Sequence, residues 1–509
     1  MNILTLVLLL ISKYLPQSYS HKLEPTFESS FADFPSFVRR PSYGRTCPCC
    51  SSGSNVDGHV GSSTALHVVK NLSDGIPKQY SNVTCTEYWL ETIDCILKEA
   101  QKITPAKFKM IPKLVSSKFR NSAHYGHNSM ALFEISRGKL YCIKHRNIRN
   151  LRYKFIRVYP FVKQLQKIAK SSIATSVAFY AGFGDNPRII RSSNSSWFPY
   201  FSVSSSPIHS DLPVIPFSSF GNDHAGFSEY SWEREKIQSL QTYPTGIQWL
   251  KRIPNPFFKG GLSDCNGRGD AIAAKCPRAM TIFRYQEMSR DLKLCASNRQ
   301  GVKSLIKRFG KVNCSTCVEL CMKKEKYYES MLKYKYSLVM DGAGPWSRRM
   351  QENLLSGSTI LRHDNHGYQF YEMNFKPYVH YVPFNYSNLD SVVEFLSNND
   401  ELAATIANRG ASFAKTCLTS DQIQLFLTLF LSEYVRRVGS NVGSRGQKID
   451  ISANQNDMNS RLKQCFEISC LGSKCKRPKL TTQEKMLQRE FRKEERDITI
   501  TGGPTTTSG

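Results

Sequence analysis

Residues 333–383 read KYKYSLVMDGAGPWSRRMQENLLSGSTILRHDNHGYQFYEMNFKPYVHYVP. An apolar strand is predicted over Tyr336–Met340. It ends in Asp341-Gly342-Ala343-Gly344, and helical spacing then runs from Trp346 to Leu355 and includes Arg348 and Arg349. A second apolar strand, Thr359–Leu361, follows Gly357. A strand feeding a glycine-rich turn and a helix N-terminus is a common anion site: the turn presents backbone N–H groups and the helix dipole favours negative charge. An arginine in the first helical turn adds a planar fork suited to phosphate oxygens. The same spacing also describes an ordinary βαβ unit of a parallel sheet.

Strand and helix signals alternate on both sides of this stretch. Toward the N-terminus, Asn255–Gly261 (NPFFKGG) is a strand running into a double glycine, a second turn where phosphate could approach. Ser176–Tyr180 is a buried-type strand followed by Gly184-Asp185-Asn186-Pro187. Asp185 then sits just past a strand end, where open α/β sheets gather their active sites, although an aspartate before proline is also a common turn. Tyr200–Val203 is a further strand, followed by Pro207-Ile208-His209-Ser210-Asp211-Leu212-Pro213. Ala131–Ile143 alternates around Ser136-Arg137-Gly138 and reads as a hairpin. Helices are expected at Tyr88–Ile103, where Cys85 and Cys95 offer staples, and at Asn150–Lys170 and Glu229–Leu240. Others are expected at Asn388–Asn399, at Asp400–Thr416 with Asp400 as its cap, and at Ser420–Val438. Residues 279–330 read as alternating helix and loop.

The two blocks of this pattern, about 120–250 and 251–438, predict an α/β fold of two halves facing a cleft. With flanking segments the division becomes: 1–20 a signal peptide; 21–84 a flexible Ser/Pro/Gly-rich region; 85–250 an N-terminal half; 251–438 a C-terminal half; 439–509 a mostly disordered basic tail, with one charged helix at Glu484–Arg496. The apolar run Ile3–Ile11 is short for a membrane span and is followed by small residues at Ser18-Tyr19-Ser20, as in a cleaved secretory leader. Sixteen cysteines in a chain with such a leader predict disulfides. Five Asn-x-Ser/Thr sequons, at Asn71, Asn82, Asn194, Asn313 and Asn385, fit the same compartment. Cys314, Cys317 and Cys321 lack a fourth ligand at zinc spacing, so no metal is expected. The net charge of +28 is spread along the 509 residues without a zinc-finger, RRM or helix-turn-helix pattern, so nucleic acid is not an expected partner. No run after the leader is long enough for a transmembrane helix, and the C-terminus is not an ER-retention tetrapeptide.

KYKYSLVMDGAGPWSRRMQENLLSGSTIL, QFYEMNFKPYVHYVPF and SNNDELAATIANRGASFA, in this order and spacing, resemble glycosyltransferase family 90, which includes protein O-glucosyltransferases and capsule-associated xylosyltransferases. FEISRGKLY, AFYAGFGDNP, PYFSVSSSPIHSDLPVIPF and NPFFKGGLS extend the resemblance toward the N-terminus. The resemblance implies a GT-B-like fold of two Rossmann-like halves and an inverting, metal-independent transfer of glucose or xylose from a UDP-sugar, with no cofactor. It implies Asp185 as catalytic base. It also implies UDP-sugar contacts from Gly261, Arg278, Gly342, Ala343, Gly344, Trp346, Ser347 and Arg349, with His209 and Asp211 as candidate acceptor or donor contacts. The implied acceptor is a Ser/Thr hydroxyl of a glycoprotein, such as one with EGF-like repeats, in the endoplasmic reticulum or Golgi lumen or in secretion. A polysaccharide xylosyltransferase and an inactive secreted binding protein on the same fold are the alternatives. The chain departs from the family pattern at Lys259 (arginine), Gly261 (serine) and Tyr378 (tryptophan), and the insert 262–277 is longer than usual.

Overall fold

The computed structural model describes residues 84–109, 111, 130–144, 155–171, 176–183, 197–206, 209–215, 248–261, 277–296, 298–309, 317–322, 324–341, 348–363, 367–385, 387–441, 443, 446–452 and 455–465. Two six-stranded sheets organise these residues. The first has the order β12-β2-β1-β3-β4-β5, built from β1 (Met130–Ser136), β2 (Lys139–Lys144), β3 (Val177–Gly182), β4 (Tyr200–Ser202), β5 (Leu212–Pro213) and β12 (Gln447–Asp450). The predicted hairpin is β1–β2. Its turn residues Arg137 and Gly138 have φ of 52° and 73°, the left-handed pair that matches the twist of two antiparallel strands. Beyond it β3 pairs antiparallel with β1, while β3, β4 and β5 run parallel.

The second sheet is parallel throughout, in the order β11-β10-β9-β6-β7-β8. Its strands are β6 (Ile253–Gly260), β7 (Leu292–Ala296), β8 (Val318–Leu320), β9 (Tyr334–Val339), β10 (Thr359–His363) and β11 (Val382–Phe384). Counted within this half, that is the doubly wound order 3-2-1-4-5-6. The chain starts in the middle at β6, works outward to β8, and returns to add β9 on the other side. The architecture is the expected α/β, GT-B-like one, with a mixed first sheet and a fully Rossmann-like second. β7 and β8 correct the expectation of helix and loop across 279–330. Both are short, and each carries a charged residue, Lys293 or Glu319, among its few apolar ones.

The helices in chain order are α1 (Cys85–Ile96), α2 (Phe155–Lys170), α3 (Pro277–Tyr285), α4 (Arg299–Phe309), α5 (Lys324–Met331), α6 (Arg348–Leu355), α7 (Leu389–Asn398), α8 (Asp400–Thr416), α9 (Ser420–Val438) and α10 (Gln455–Cys465). α1 begins with a capping box between Thr84 and Glu87. α8 starts one residue earlier than expected at its cap: Asn399 is the cap residue, and Asp400 lies in the first turn. There Asp400 accepts from Lys335 Nζ at 2.7 Å and from Trp249 Nε1 at 2.9 Å, fastening the entry of β6 to that of β9. The expected helix over 229–240 lies outside the described residues.

One aromatic core joins elements from both halves. Trp89 of α1 stacks on Phe370 and lies tilted against Phe426 of α9, which in turn stacks on Phe370. Phe201 of β4 stacks on Phe179 of β3 and meets Phe430 and Tyr434 of α9 edge-on. The last long helix therefore packs on elements of the first half although it follows the second in sequence. Cys85 is bonded to Cys417, 332 residues away, so α1 is tied to the end of α8 rather than stapled on itself; Cys95 is also disulfide-bonded. The segment after Gly439, expected to be mostly disordered, supplies β12 and α10. It is fixed by the Cys142–Cys465 disulfide and by Lys448 donating to the buried carboxylate of Glu134 at 2.5 Å. Residues 466–509, with the expected charged helix, lie outside the described residues, as does the leader.

Candidate functional site

In a doubly wound sheet the ligand crevice forms outside the carboxyl ends of the two strands where the winding reverses, because the loops leaving them diverge to opposite faces. Here those strands are β6 and β9. Arg278, in the first turn of α3, is buried and joins the two ends: Nη1 donates to the Gly261 carbonyl at 2.6 Å and Nη2 to the Met340 carbonyl at 2.8 Å. Arg349, in the first turn of α6, brings a second guanidinium to the same point. A Cβ added to Gly260 would lie 2.4 Å from Arg349 Nη1, so a side chain there would displace the guanidinium from this position. Phe258 underlies both cations, 4.9 Å from Arg349 Cζ and 5.6 Å from Arg278 Cζ, ring centroid to cation. Arg349 Cζ also lies 5.9 Å from the Tyr327 ring centroid.

Strand alternation sends Lys259 to the other face. Its Nζ makes 2.9 Å ion pairs with both Asp291 and Glu319, and Tyr334 donates its hydroxyl to the same Asp291. Burial, the largest influence, works to lower the Lys259 pKa; the two carboxylates outweigh it and raise it. Lys259 is therefore a pin between β6 and the β7–β8 side of the sheet, on the face of β6 away from the arginines. Tyr378 sits in a left-handed turn (φ 61°) with its N–H donating to the Tyr381 carbonyl at 2.6 Å. Gly261 directly follows β6, and its carbonyl is the acceptor for Arg278.

The first half contributes the loop after β4. Ser206 and His209 hydrogen-bond side chain to side chain at 2.7 Å, and Asp211 is buried just before β5. Ser205 and Tyr368 exchange two backbone hydrogen bonds, 2.9 and 3.0 Å. Ser205 follows the carboxyl end of β4 and Tyr368 follows that of β10, so the loops leaving the parallel strands of both sheets meet. Asp185 and the turn Gly342, Ala343, Gly344, Trp346 and Ser347 lie outside the described residues. Of the sequence-predicted residues, the structure brings Gly261, Arg278 and Arg349 together, and sets His209 and Asp211 on the loop after β4. Gly260, Phe258 and Tyr327 were missed as parts of the arginine cluster. For Gly260 the double glycine was a signal; for Tyr327, one of two adjacent tyrosines in a short helix, there was none. Among the described residues no three His, Cys, Asp or Glu side chains are grouped to hold a metal ion, and no helix is long and apolar enough to cross a membrane.

Two guanidinium groups at the switch point of a doubly wound sheet define a two-sheet α/β protein whose crevice suits an anionic, phosphate-bearing ligand. The family model for glycosyl transferase family 90 matches residues 115–500, and the chain belongs to that family. Protein O-glucosyltransferase 2 of Danio rerio is 22% identical over 391 residues, covering 73% of this chain and 72% of the relative. Human protein O-glucosyltransferase 1 is 32% identical over 124 residues, 24% of this chain and 31% of the relative. O-glucosyltransferase rumi of Drosophila melanogaster is 28% identical over 275 residues, 52% of this chain and 61% of the relative. The matches to human and bovine protein O-glucosyltransferase 1 thus span under a third of those relatives' length. Among solved structures, Anabaena HepE in complex with UDP-glucose aligns at 14% identity with a TM-score of 0.27, over 39% of this chain and 53% of that one.

Proposed function

We propose that the protein is an inverting glycosyltransferase that moves glucose or xylose from a UDP-sugar to a Ser/Thr hydroxyl of a glycoprotein in the secretory pathway. The observation that carries this reading is the convergence of Arg278 and Arg349 on the β6–β9 switch point, with Gly260 held open beneath Arg349. A diphosphate bound there gains charge as the glycosidic bond breaks. Fixed guanidinium groups stabilise that charge without reorganising during the step. Family membership and the names of the relatives support a glycosyl donor rather than another nucleotide. The disulfides and sequons support a secretory-pathway acceptor.

In this mechanism Asp185 accepts the proton of the acceptor hydroxyl as that oxygen attacks the anomeric carbon from the face opposite UDP. The C–O bond to UDP breaks in the same displacement, and UDP leaves with the electron pair. Asp185 follows the carboxyl end of β3, and the loop after β4 with His209 and Asp211 lies on the same edge of the first sheet. The test is UDP release from UDP-glucose, UDP-xylose and UDP-galactose by the purified protein and its Asp185→Asn variant. Release from at least one donor, cut about 10²-fold or more in Asp185→Asn with UDP binding retained, is expected. Wild-type turnover in the variant would remove Asp185 from this role.

A further inference from the structure

Arg349 is braced on more than one side, and one of the braces comes from an element unrelated to the nucleotide turn. Phe258 supplies a ring from β6 at 4.9 Å, and Tyr327 supplies a second at 5.9 Å from the first turn of α5. Gly260 keeps the space beside the guanidinium clear. The neighbouring Tyr328 donates its hydroxyl to Glu352, 3.3 Å away, and Glu352 lies one turn along α6 from Arg349. Two adjacent tyrosines of α5 thus engage two successive turns of α6. Burial pushes the Tyr327 phenol up, against the opposing pull of the Arg349 charge and of a hydrogen bond between the two side chains.

An arginine free to sample its rotamers loses conformational freedom when it grips a phosphate, and a planar fork already held against a ring loses less. We propose that Tyr327 is a positioning residue that, with Phe258, pre-sets the Arg349 guanidinium for the donor diphosphate. This rests on the assignment of Arg349 to the diphosphate. Tyr327 need not touch the nucleotide: its effect runs through Arg349, and so it vanishes when Arg349 is absent.

The experiment is a double-mutant cycle on the full chain, with UDP as the probe in calorimetric titration. Tyr327→Leu is expected to weaken UDP about 5- to 20-fold, and Tyr327→Phe, which keeps the ring, by less than about 3-fold. In an Arg349→Ala background, Tyr327→Leu should add no further loss. If Arg349→Ala weakens UDP but Tyr327→Leu does not, or if the two losses multiply, the positioning role is overturned and the diphosphate assignment stands. If Arg349→Ala leaves UDP affinity unchanged, the assignment itself fails and the proposal falls with it. Should Tyr327→Leu unfold, Tyr327→Met completes the same cycle at the same position, with the same outcomes deciding.

Discussion

Gly260 shows how a single missing methyl group shapes this site. A side chain there would occupy the volume of the Arg349 guanidinium, whose nitrogens lie 2.4 and 2.6 Å from the position of a Cβ. The obstructed atoms are the tip of a long side chain, so Gly260→Ala should be accommodated by swinging Arg349 aside rather than by unfolding. The expected outcome is a melting temperature within a few degrees of wild type and a UDP affinity reduced about 10-fold or more, as for loss of a charge-assisted contact. Parallel calorimetric and thermal measurements check both halves. Lys259 illustrates the opposite lesson at the neighbouring position. By motif alone it stands where the family has an arginine, yet the two-residue period of a strand puts it on the other face, between Asp291 and Glu319. That period was legible in NPFFKGG; the carboxylates that receive the lysine, far away in sequence, were not.

Elements with long, periodic apolar patterns were legible from the sequence. The hairpin, β6, β9, α6 and α9 fall where alternation or helical spacing puts them, and Ile423, Phe426, Leu427, Phe430 and Leu431 are buried as the spacing of α9 requires. β7 and β8 were not legible, because LKLCA and VEL set Lys293 and Glu319 among few apolar residues and lack the apolar run by which the equally short β4 and β10 stand out. β12 was hidden differently. Its residues, Gln447–Asp450, are polar apart from Ile449 and read as tail, and they become a strand by pairing with the edge that β2 offers. The edge strand depends on a clamp: the Cys142–Cys465 disulfide spans 323 residues, and Arg461 Nη1 donates to the Asp450 carbonyl at 2.8 Å. Paired Cys142→Ser and Cys465→Ser changes should cost about 2–5 kcal/mol and make the chain after Gly439 the first site of proteolytic cleavage. Limited proteolysis with mass mapping of the fragments checks this; cleavage elsewhere first would show that β12 holds without the bond.

Across the whole molecule, the halves that sequence separates are joined through α1, the 370–375 segment and α9. Tyr88 donates to the Tyr371 carbonyl at 2.5 Å, Asn374 to Glu91 at 2.7 Å, and the aromatic core continues between them. His380 belongs to this junction: it stacks on Phe375 at 4.9 Å and its Nδ1 accepts from the Lys376 N–H at 3.1 Å. Burial, with the nearby Arg409 and Lys376 charges, lowers its pKa from 6.5 to about 4. A proton taken up by the unfolded chain below pH 6.5 is therefore refused by the folded one until about pH 4. The stability that a neutral His380 contributes is complete above pH 6.5 and falls through that window. Thermal melts from pH 7 to pH 4 should show a smaller decline in His380→Gln than in wild type; parallel declines would assign the acid sensitivity to other groups. The two halves so joined leave the carboxyl ends of β6 and β9 as the place where UDP is expected to bind. A crystal structure with UDP bound tests that most directly. The diphosphate is predicted at the carboxyl ends of β6 and β9, with its oxygens about 3 Å from the Arg349 guanidinium nitrogens. UDP bound elsewhere, or at this crevice with Arg349 turned away from the phosphates, would contradict it.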